Sequence, residues 1–240
     1  MLFKRVISAT AGIIYLIIVL YFRGWLFNIS VLVVSLLGMY EFYVSLRKKG
    51  YKPVSLLGYL YLAVFFYLTT TRPDSPLLLA ITLMATMISL FFTVISNQIN
   101  VMDAFITITG LVYPGMTLLS LLWLGNLPHP YVHYLLIFTL VATWSTDTFA
   151  YFVGMKYGKN KLCPHISPKK TVEGSLGGLA GSVIAGVVTG WVLGSFCQVP
   201  IGYGHYIIMS LICGIVSQAG DLTASSIKRY CGIKDYGHIL

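Results

Sequence analysis

Two aspartates occupy long apolar stretches of the chain, where a charged side chain is costly. Asp147 lies well inside one stretch, and Asp221 lies near the end of another. An unpaired carboxylate at membrane depth costs at least about 2.5–3.5 kcal/mol on insertion scales, so each should face protein, water or a cation. The alternative for Asp147 is a hydrogen bond with the neighbouring hydroxyl of Ser145 or Thr148.

Asp221 begins a polar series at the end of the last apolar stretch. Ser225 and Lys228 follow it by four and seven residues, which places all three on one face of a helix. Carboxylates beside cations at one membrane surface suit Mg²⁺, which proteins usually hold with one or two carboxylates together with substrate phosphates. A surface cluster of salt bridges is the alternative interpretation.

The longest polar loop, residues 156–174, has a composition that suits an anionic phosphate. Lysines supply positive charge, hydroxyls supply donors, and the helix after the loop would add the free amides of its N-terminus. The alternative is a loop whose positive charge only fixes the topology. The residues of this pattern are Ser167, Lys169, Lys170, Thr171 and Glu173.

The elements that must position these residues are membrane helices. Of the 240 residues 57% are hydrophobic and only 10% are charged, where about 25% is usual. This composition excludes a soluble enzyme, a disordered protein and a nucleic-acid binder, and it leaves an all-α polytopic membrane protein. A spanning helix needs about 20 mostly apolar residues. The eight predicted spans are Val6–Phe22, Trp25–Leu46, Val54–Thr71, Leu77–Ser96, Ala104–Leu124, His133–Val153, Ser175–Phe196 and His205–Ala224.

The basic residues predict the orientation of these spans. If the eight helices alternate in direction, fourteen of the sixteen Lys and Arg residues lie on one side of the membrane. Only Arg23 and Arg72 lie on the other side. Because positive charge is retained in the cytoplasm, both termini are predicted to be cytoplasmic.

The polar residues divide the chain into two regions. Residues 1–130 form an N-terminal region of about five transmembrane helices with little chemical character. Residues 131–240 form a catalytic transmembrane region with the basic loop and tail. Pro114 should bend the fifth span. Glycines that repeat at a spacing of four in the seventh span predict close helix packing.

The polar tail closely resembles the signature of the phosphatidate cytidylyltransferases, also called CDP-diacylglycerol synthases. That signature reads Ser, any residue, an apolar residue, Lys-Arg, four further residues and then Lys-Asp. The segments 147–154 and 166–174 are also similar to the pattern of this family. The matching residues of the tail are Ser225, Lys228, Arg229, Lys234 and Asp235.

The resemblance implies an enzyme that transfers the cytidylyl group of CTP to phosphatidate in phospholipid biosynthesis. The products are CDP-diacylglycerol, which stays in the bilayer, and pyrophosphate. The implied cofactor is Mg²⁺, with a monovalent cation as a further candidate. The implied location is a bacterial-type cytoplasmic (inner) membrane, with a homodimer as the suggested assembly and no nucleic-acid partner.

The resemblance also implies roles for individual residues. Asp221, Asp147 and Lys228 are the candidate catalytic residues, and Asp221 is the candidate metal ligand. Lys169, Lys170 and Thr171 would bind the triphosphate of CTP. Lys228, Arg229 and Lys234 would bind phosphatidate or the departing pyrophosphate. Asp147 and Glu173 would orient the metal or the nucleotide. The remaining candidate substrate-binding residues are Ser167, Ser225 and Asp235.

The chain departs from the family pattern at its end. In the family the pattern continues into a Pro-Gly-His-Gly-Gly segment, an Asp-Arg-x-Asp element and a further helix. An aspartate of the Asp-Arg-x-Asp element should be the partner of Asp221 in binding the metal. We therefore expect a fragment or an inactive form of a family member. Two other functions stay open: an ion-coupled transporter, because aspartates and helix interruptions also suit a cation pathway, and a CTP-dependent lipid kinase.

Overall fold

The computed structural model describes residues 2–237, with side chains described from Thr10 onward. The N-terminal basic residues Lys4 and Arg5, on which the predicted orientation partly rests, therefore lie outside the described side chains. Within residues 2–237 the chain is almost entirely helical. The helices are α1 (Leu2–Phe22), α2 (Gly24–Lys48), α3 (Ser55–Thr71), α4 (Leu77–Ile95), α5 (Val101–Gly110), α6 (Thr117–Asn126), α7 (Val132–Tyr157), α8 (Val172–Cys197) and α9 (Tyr203–Tyr230).

The helices have the length and surface of membrane spans. Six helical stretches of the described chain are long and apolar enough to cross a bilayer, and one of them is the continuous stretch from α5 to α6. The helix α3 and the described part of α1 are shorter apolar helices. Many large apolar side chains are exposed, among them Val94 (74%) and Phe196 (75%). Such a surface fits lipid and not water. The expected all-α polytopic membrane fold is confirmed.

The fifth predicted span contains a wide turn at the proline. A π-helical segment, Leu111–Met116, joins α5 to α6 and contains Pro114. Proline has no N–H for the regular helical ladder, and the backbone N–H of Thr117 reaches the carbonyl of Val112, five residues back. Pro114 therefore lies in a π turn within the span, and the bend predicted for it stays a prediction.

The predicted end of the last span and the predicted loop before the seventh span need correction. The predicted span His205–Ala224 continues as α9 to Tyr230, because the polar residues after Ala224 keep helical geometry beyond the apolar run. The predicted loop 156–174 is not a loop throughout: it contains a hairpin of β1 (Lys161–Cys163) and β2 (Ser167–Thr171). Short polar strands lack the apolar alternation by which a strand is recognised in sequence.

The chain separates into two compact units. The first unit comprises Met1–His129 and Asp235–Leu240, and the second comprises Pro130–Lys234. In the first unit the core contains Met39, Tyr43 and Leu62, and the Tyr43 hydroxyl donates a hydrogen bond to the Thr107 carbonyl at 2.9 Å.

The second unit is built from α7, the hairpin, α8 and α9. Its apolar core cluster contains Phe138, Ala142, Leu193, Val199 and Tyr206. The buried residues of α8 are mostly glycines, which confirms the close packing predicted for this helix.

Candidate active site

A cavity of about 480 Å³ lies in the second unit and is lined by residues of α7, both strands, α8 and α9. Its apolar lining residues include Tyr151, Met155 and Leu162. Tyr151 and Met155 are 65% and 67% exposed, so the cavity opens at the surface of the unit beside them. The predicted site residues that line the cavity are Asp147, Lys169, Lys170, Thr171 and Asp221.

The two aspartates reach this cavity from different helices. Asp147 projects from α7 and Asp221 from α9. Asp221 forms an ion pair with the Lys170 ammonium, and it is about half exposed (52%). The Asp147 carboxylate interacts electrostatically with both Asp221 and Lys170. The hydroxyl of Thr148 donates to the carbonyl of Trp144 at 2.8 Å, so Thr148 is not the partner of Asp147, and the alternative of a hydrogen bond with Ser145 stays a prediction.

The lysines of the cavity lie on the hairpin. β1 and β2 are antiparallel with an irregular register, Lys161 opposite Thr171 and Cys163 opposite Ser167. Just beyond the strands, the Val172 N–H donates to the Asn160 carbonyl at 2.9 Å.

Glu173 closes the same end of the hairpin from the first turn of α8. Its carboxylate accepts hydrogen bonds from the backbone N–H of Lys159 at 3.1 Å and of Asn160 at 3.2 Å. It also accepts one from the Asn160 side-chain amide at 2.8 Å. These bonds hold the base of the hairpin while Lys169 and Lys170 project into the cavity.

Small residues bring α7 and α8 together beside the cavity. The Thr171 hydroxyl oxygen caps α8 by accepting a hydrogen bond from the Gly174 N–H at 3.1 Å. A Cβ on Gly154 would lie 3.0 Å from that oxygen, and a Cβ on Gly174 would lie 2.8 Å from the Ala150 carbonyl. A Cβ at position 174 would therefore displace α8 from α7, whereas one at position 154 would displace the capping hydroxyl of Thr171 by a few tenths of an ångström.

Sequence reasoning missed two polar residues of the cavity, Ser175 on α8 and Gln218 on α9. The Ser175 hydroxyl donates to the Gln218 side-chain carbonyl, and the Gln218 side-chain amide donates to the Ser175 backbone carbonyl at 3.1 Å. The available signal was the position of Gln218, a polar residue within an apolar run and three residues before Asp221.

The other predicted site residues do not line this cavity. Glu173 holds the base of the hairpin, and the Arg229 guanidinium donates to the Ile166 carbonyl at 3.4 Å, which ties α9 to the hairpin turn. Lys234 ends the second unit, and Asp235 belongs to the first. The members of this outlying set are Ser167, Glu173, Ser225, Lys228, Arg229, Lys234 and Asp235. Their roles stay predictions.

The donors of the cavity fit a hard divalent cation that is shared with phosphates. Within the described residues no three His, Cys, Asp or Glu side chains form a metal-binding group. Mg²⁺ does not need such a group, because it commonly takes one or two carboxylates and completes its octahedron with water and substrate phosphate oxygens. Asp147 and Asp221 line one cavity and supply two carboxylates. The residues present therefore fit Mg²⁺.

A set of helices around a charged cavity that opens on an apolar side is the architecture of a membrane enzyme acting on a charged substrate. Residues 3–240 match the Cytidylyltransferase family. The chain belongs to this family, whose members are nucleotidyl-transferring enzymes.

Named relatives share most of this length. The phosphatidate cytidylyltransferase of Bacillus subtilis is 34% identical over 212 residues, which cover 85% of this chain and 77% of the relative. The phosphatidate cytidylyltransferase of a Synechocystis species is 29% identical over 264 residues, covering 99% of this chain and 87% of the relative. The one from Staphylococcus saprophyticus is 38% identical over 154 residues, covering 64% and 56%.

Proposed function

We propose that this protein transfers the cytidylyl group of CTP to phosphatidate and forms CDP-diacylglycerol and pyrophosphate. One observation carries the proposal: Lys170 and the carboxylates of Asp147 and Asp221 share a cavity formed by three apolar helices and a basic hairpin. Cations suit the phosphates of both substrates, and apolar walls suit an acceptor that remains in the bilayer.

The hairpin lysines would bind the triphosphate. Lys169 and Lys170 present two ammonium groups to the cavity, and charge-assisted hydrogen bonds to phosphate are the strong class of hydrogen bond. Thr171 accepts the capping bond of α8 with its oxygen, which leaves its hydroxyl hydrogen available as a donor. The N-terminus of α8 adds a partial positive charge at the same place.

The ion pair between Lys170 and Asp221 would rearrange when CTP binds. Lys170 would leave Asp221 for a phosphate oxygen, which frees the Asp221 carboxylate. Asp147 and Asp221 would then be the residues that hold Mg²⁺. When bound, this cation neutralises charge on the phosphates and polarises the reacting phosphorus.

The apolar side of the cavity would admit the lipid. Tyr151 and Met155 lie one turn apart on the face of α7 that also carries Asp147, so a diacylglycerol body lying against them would place its phosphate near the carboxylates. An oxygen of that phosphate would bond to the α-phosphorus of CTP. The bond from this phosphorus to the β-phosphate oxygen would break, and pyrophosphate would leave with the electron pair.

The proposal includes an orientation in the membrane. The ends of α7 and α9 and the start of α8 lie on the side of the basic hairpin. If the spans alternate in direction, fourteen of the sixteen Lys and Arg residues would fall on that side. We therefore place this side and both termini of the chain in the cytoplasm, in a bacterial-type inner membrane, where CTP is available. The homodimer implied by the family resemblance stays a prediction.

Labelled CTP tests the proposal directly. The full chain, in micelles that contain phosphatidate and Mg²⁺, should transfer label from the α-phosphate of CTP into chloroform-soluble lipid. Transfer of label from the γ-phosphate would replace the proposal with a lipid kinase. Cation flux in vesicles without any label transfer would replace it with a transporter. A chain with Asp221→Asn is the matched control, because it keeps size and hydrophobicity while removing one carboxylate.

A further inference from the structure

Gln218 is joined to α8 at two points by a single partner. Its side-chain carbonyl accepts from the Ser175 hydroxyl, and its side-chain N–H donates to the Ser175 backbone carbonyl at 3.1 Å. Both residues line the cavity. A two-point contact of this kind restricts the rotation of one helix against the other, which a single hydrogen bond does not.

Larger side chains restrict the interface between α8 and α9 only outside the cavity lining, where the Tyr206 ring packs against Gly190. Nearer the cavity α8 presents small residues, and a Cβ on Gly178 would already lie 3.2 Å from the Gln218 amide nitrogen. Small residues allow this close approach of the two helices. A second hydrogen bond, from the Ser182 hydroxyl to the Ser210 carbonyl at 2.8 Å, lies two helical turns farther along α8 and outside the cavity lining.

Rotation of α9 matters because it carries the Asp221 carboxylate. Asp221 lies three residues after Gln218, so both side chains occupy neighbouring positions of one helical face. The ion pair of Asp221 with Lys170 cannot fix this face by itself, because pairs as exposed as this one contribute little. The bonds with Ser175 hold α9 to α8 three residues before Asp221.

We propose that Gln218 is a positioning residue: through its two hydrogen bonds with Ser175 it fixes the rotation of α9 so that the Asp221 carboxylate faces the cavity. Gln218 carries no charge and acts only through these bonds. The inference rests on the proposed function in one respect, namely that the Asp221 carboxylate binds the divalent cation.

Mn²⁺ binding measured by electron paramagnetic resonance tests the proposal without any turnover. The full chain in micelles is titrated with Mn²⁺, and the loss of the free-ion signal gives the affinity. Gln218→Met keeps the length of the side chain and removes both bonds, and it should weaken Mn²⁺ binding about tenfold or more, as loss of a partner that orients a metal ligand does. Ser175→Ala removes one bond and keeps the backbone acceptor, so its effect should be smaller.

Ser182→Ala is the matched control. It removes a hydrogen bond across the same two helices but away from the cavity, so it should lower the melting temperature without changing Mn²⁺ affinity. Equal Mn²⁺ affinity of Gln218→Met and the unchanged chain would overturn the positioning role, and cytidylyl transfer by the unchanged chain would then still stand. Weaker Mn²⁺ binding by Gln218→Met in a chain that transfers no label from CTP would support the positioning role and overturn cytidylyl transfer.

Discussion

The two units of the chain give their carboxylates different kinds of partner. In the first unit Asp103 is 2% exposed, and its two oxygens accept backbone N–H groups of Lys52 at 2.7 Å and of Asn100 at 3.0 Å. It completes a capping box at the start of α5. In the second unit Asp147 and Asp221 line a cavity, and the partner of Asp221 is a lysine side chain. A carboxylate whose oxygens are bonded to backbone serves structure, whereas one paired with a movable cation can serve chemistry.

Removing one charge from each unit tests this contrast most strongly. Asp221→Asn should lower cytidylyl transfer about a hundredfold or more, because a ligand of the divalent cation is lost. Membrane insertion should not change. The rate of label transfer at several Mg²⁺ concentrations measures the effect.

Asp103→Asn is the counterpart in the first unit. An amide can accept only one of the two backbone N–H groups, so the free energy of unfolding should fall by about 1–3 kcal/mol while the turnover of folded molecules stays unchanged. Equal losses of turnover in the two variants would remove the distinction between the units.

Lys170→Ala should have the next largest effect. Loss of one cationic contact to phosphate should raise the CTP concentration needed for half-maximal rate about 10–100-fold. The same change frees the Asp221 carboxylate, so Mn²⁺ binding without nucleotide should become tighter. Lys159→Ala is the control, because this exposed lysine of the same loop does not line the cavity. If the CTP dependence of Lys170→Ala equals that of the unchanged chain, the positive charge of the loop only fixes the topology of the spans.

Glycine packing in the second unit predicts a loss of stability. A Cβ on Gly178 would lie 2.8 Å from the Thr146 carbonyl and 3.0 Å from the Ala150 side chain, so Gly178→Ala should destabilise the protein by about 1–3 kcal/mol. A Cβ on Gly194, in the same helix, meets nothing within 4 Å. Thermal unfolding in micelles should therefore show Gly194→Ala as neutral or slightly stabilising. If Gly178→Ala were also neutral or stabilising, helix propensity and not contact with α7 would decide the result.

Glu173→Gln should have the smallest effect and separates two roles of this residue. If Glu173 only holds the base of the hairpin, the amide keeps part of the acceptor capacity, and the CTP requirement should rise only about threefold. Its Mg²⁺ dependence should then match that of the unchanged chain. A shifted Mg²⁺ dependence would instead support the direct role with metal or nucleotide and would place a third carboxylate in the chemistry of the second unit.

The sequence predicts the helices better than it predicts their contacts. Apolar length identifies each span, and the cost of burying a charge draws attention to Asp147 and Asp221. Charge alone does not reveal how α8 and α9 are rotated. That rotation depends on small residues and on the pair of Ser175 with Gln218, and the polarity of Gln218 alone does not identify Ser175 as its partner. The importance of Asp103 is hidden for a similar reason, because its partners are backbone groups that nearly every residue possesses.

Every residue around the cavity comes from one uninterrupted stretch of chain, from α7 through the hairpin to α9. Contacts between neighbouring segments require only short loops to close, and such contacts form early and quickly. During synthesis, therefore, this region can assemble as soon as α9 has been released into the bilayer. Until then α8 would expose Gly190, which packs against Tyr206 of α9, and the Ser175 and Ser182 hydroxyls to lipid, which makes the arrival of α9 the event that completes the site.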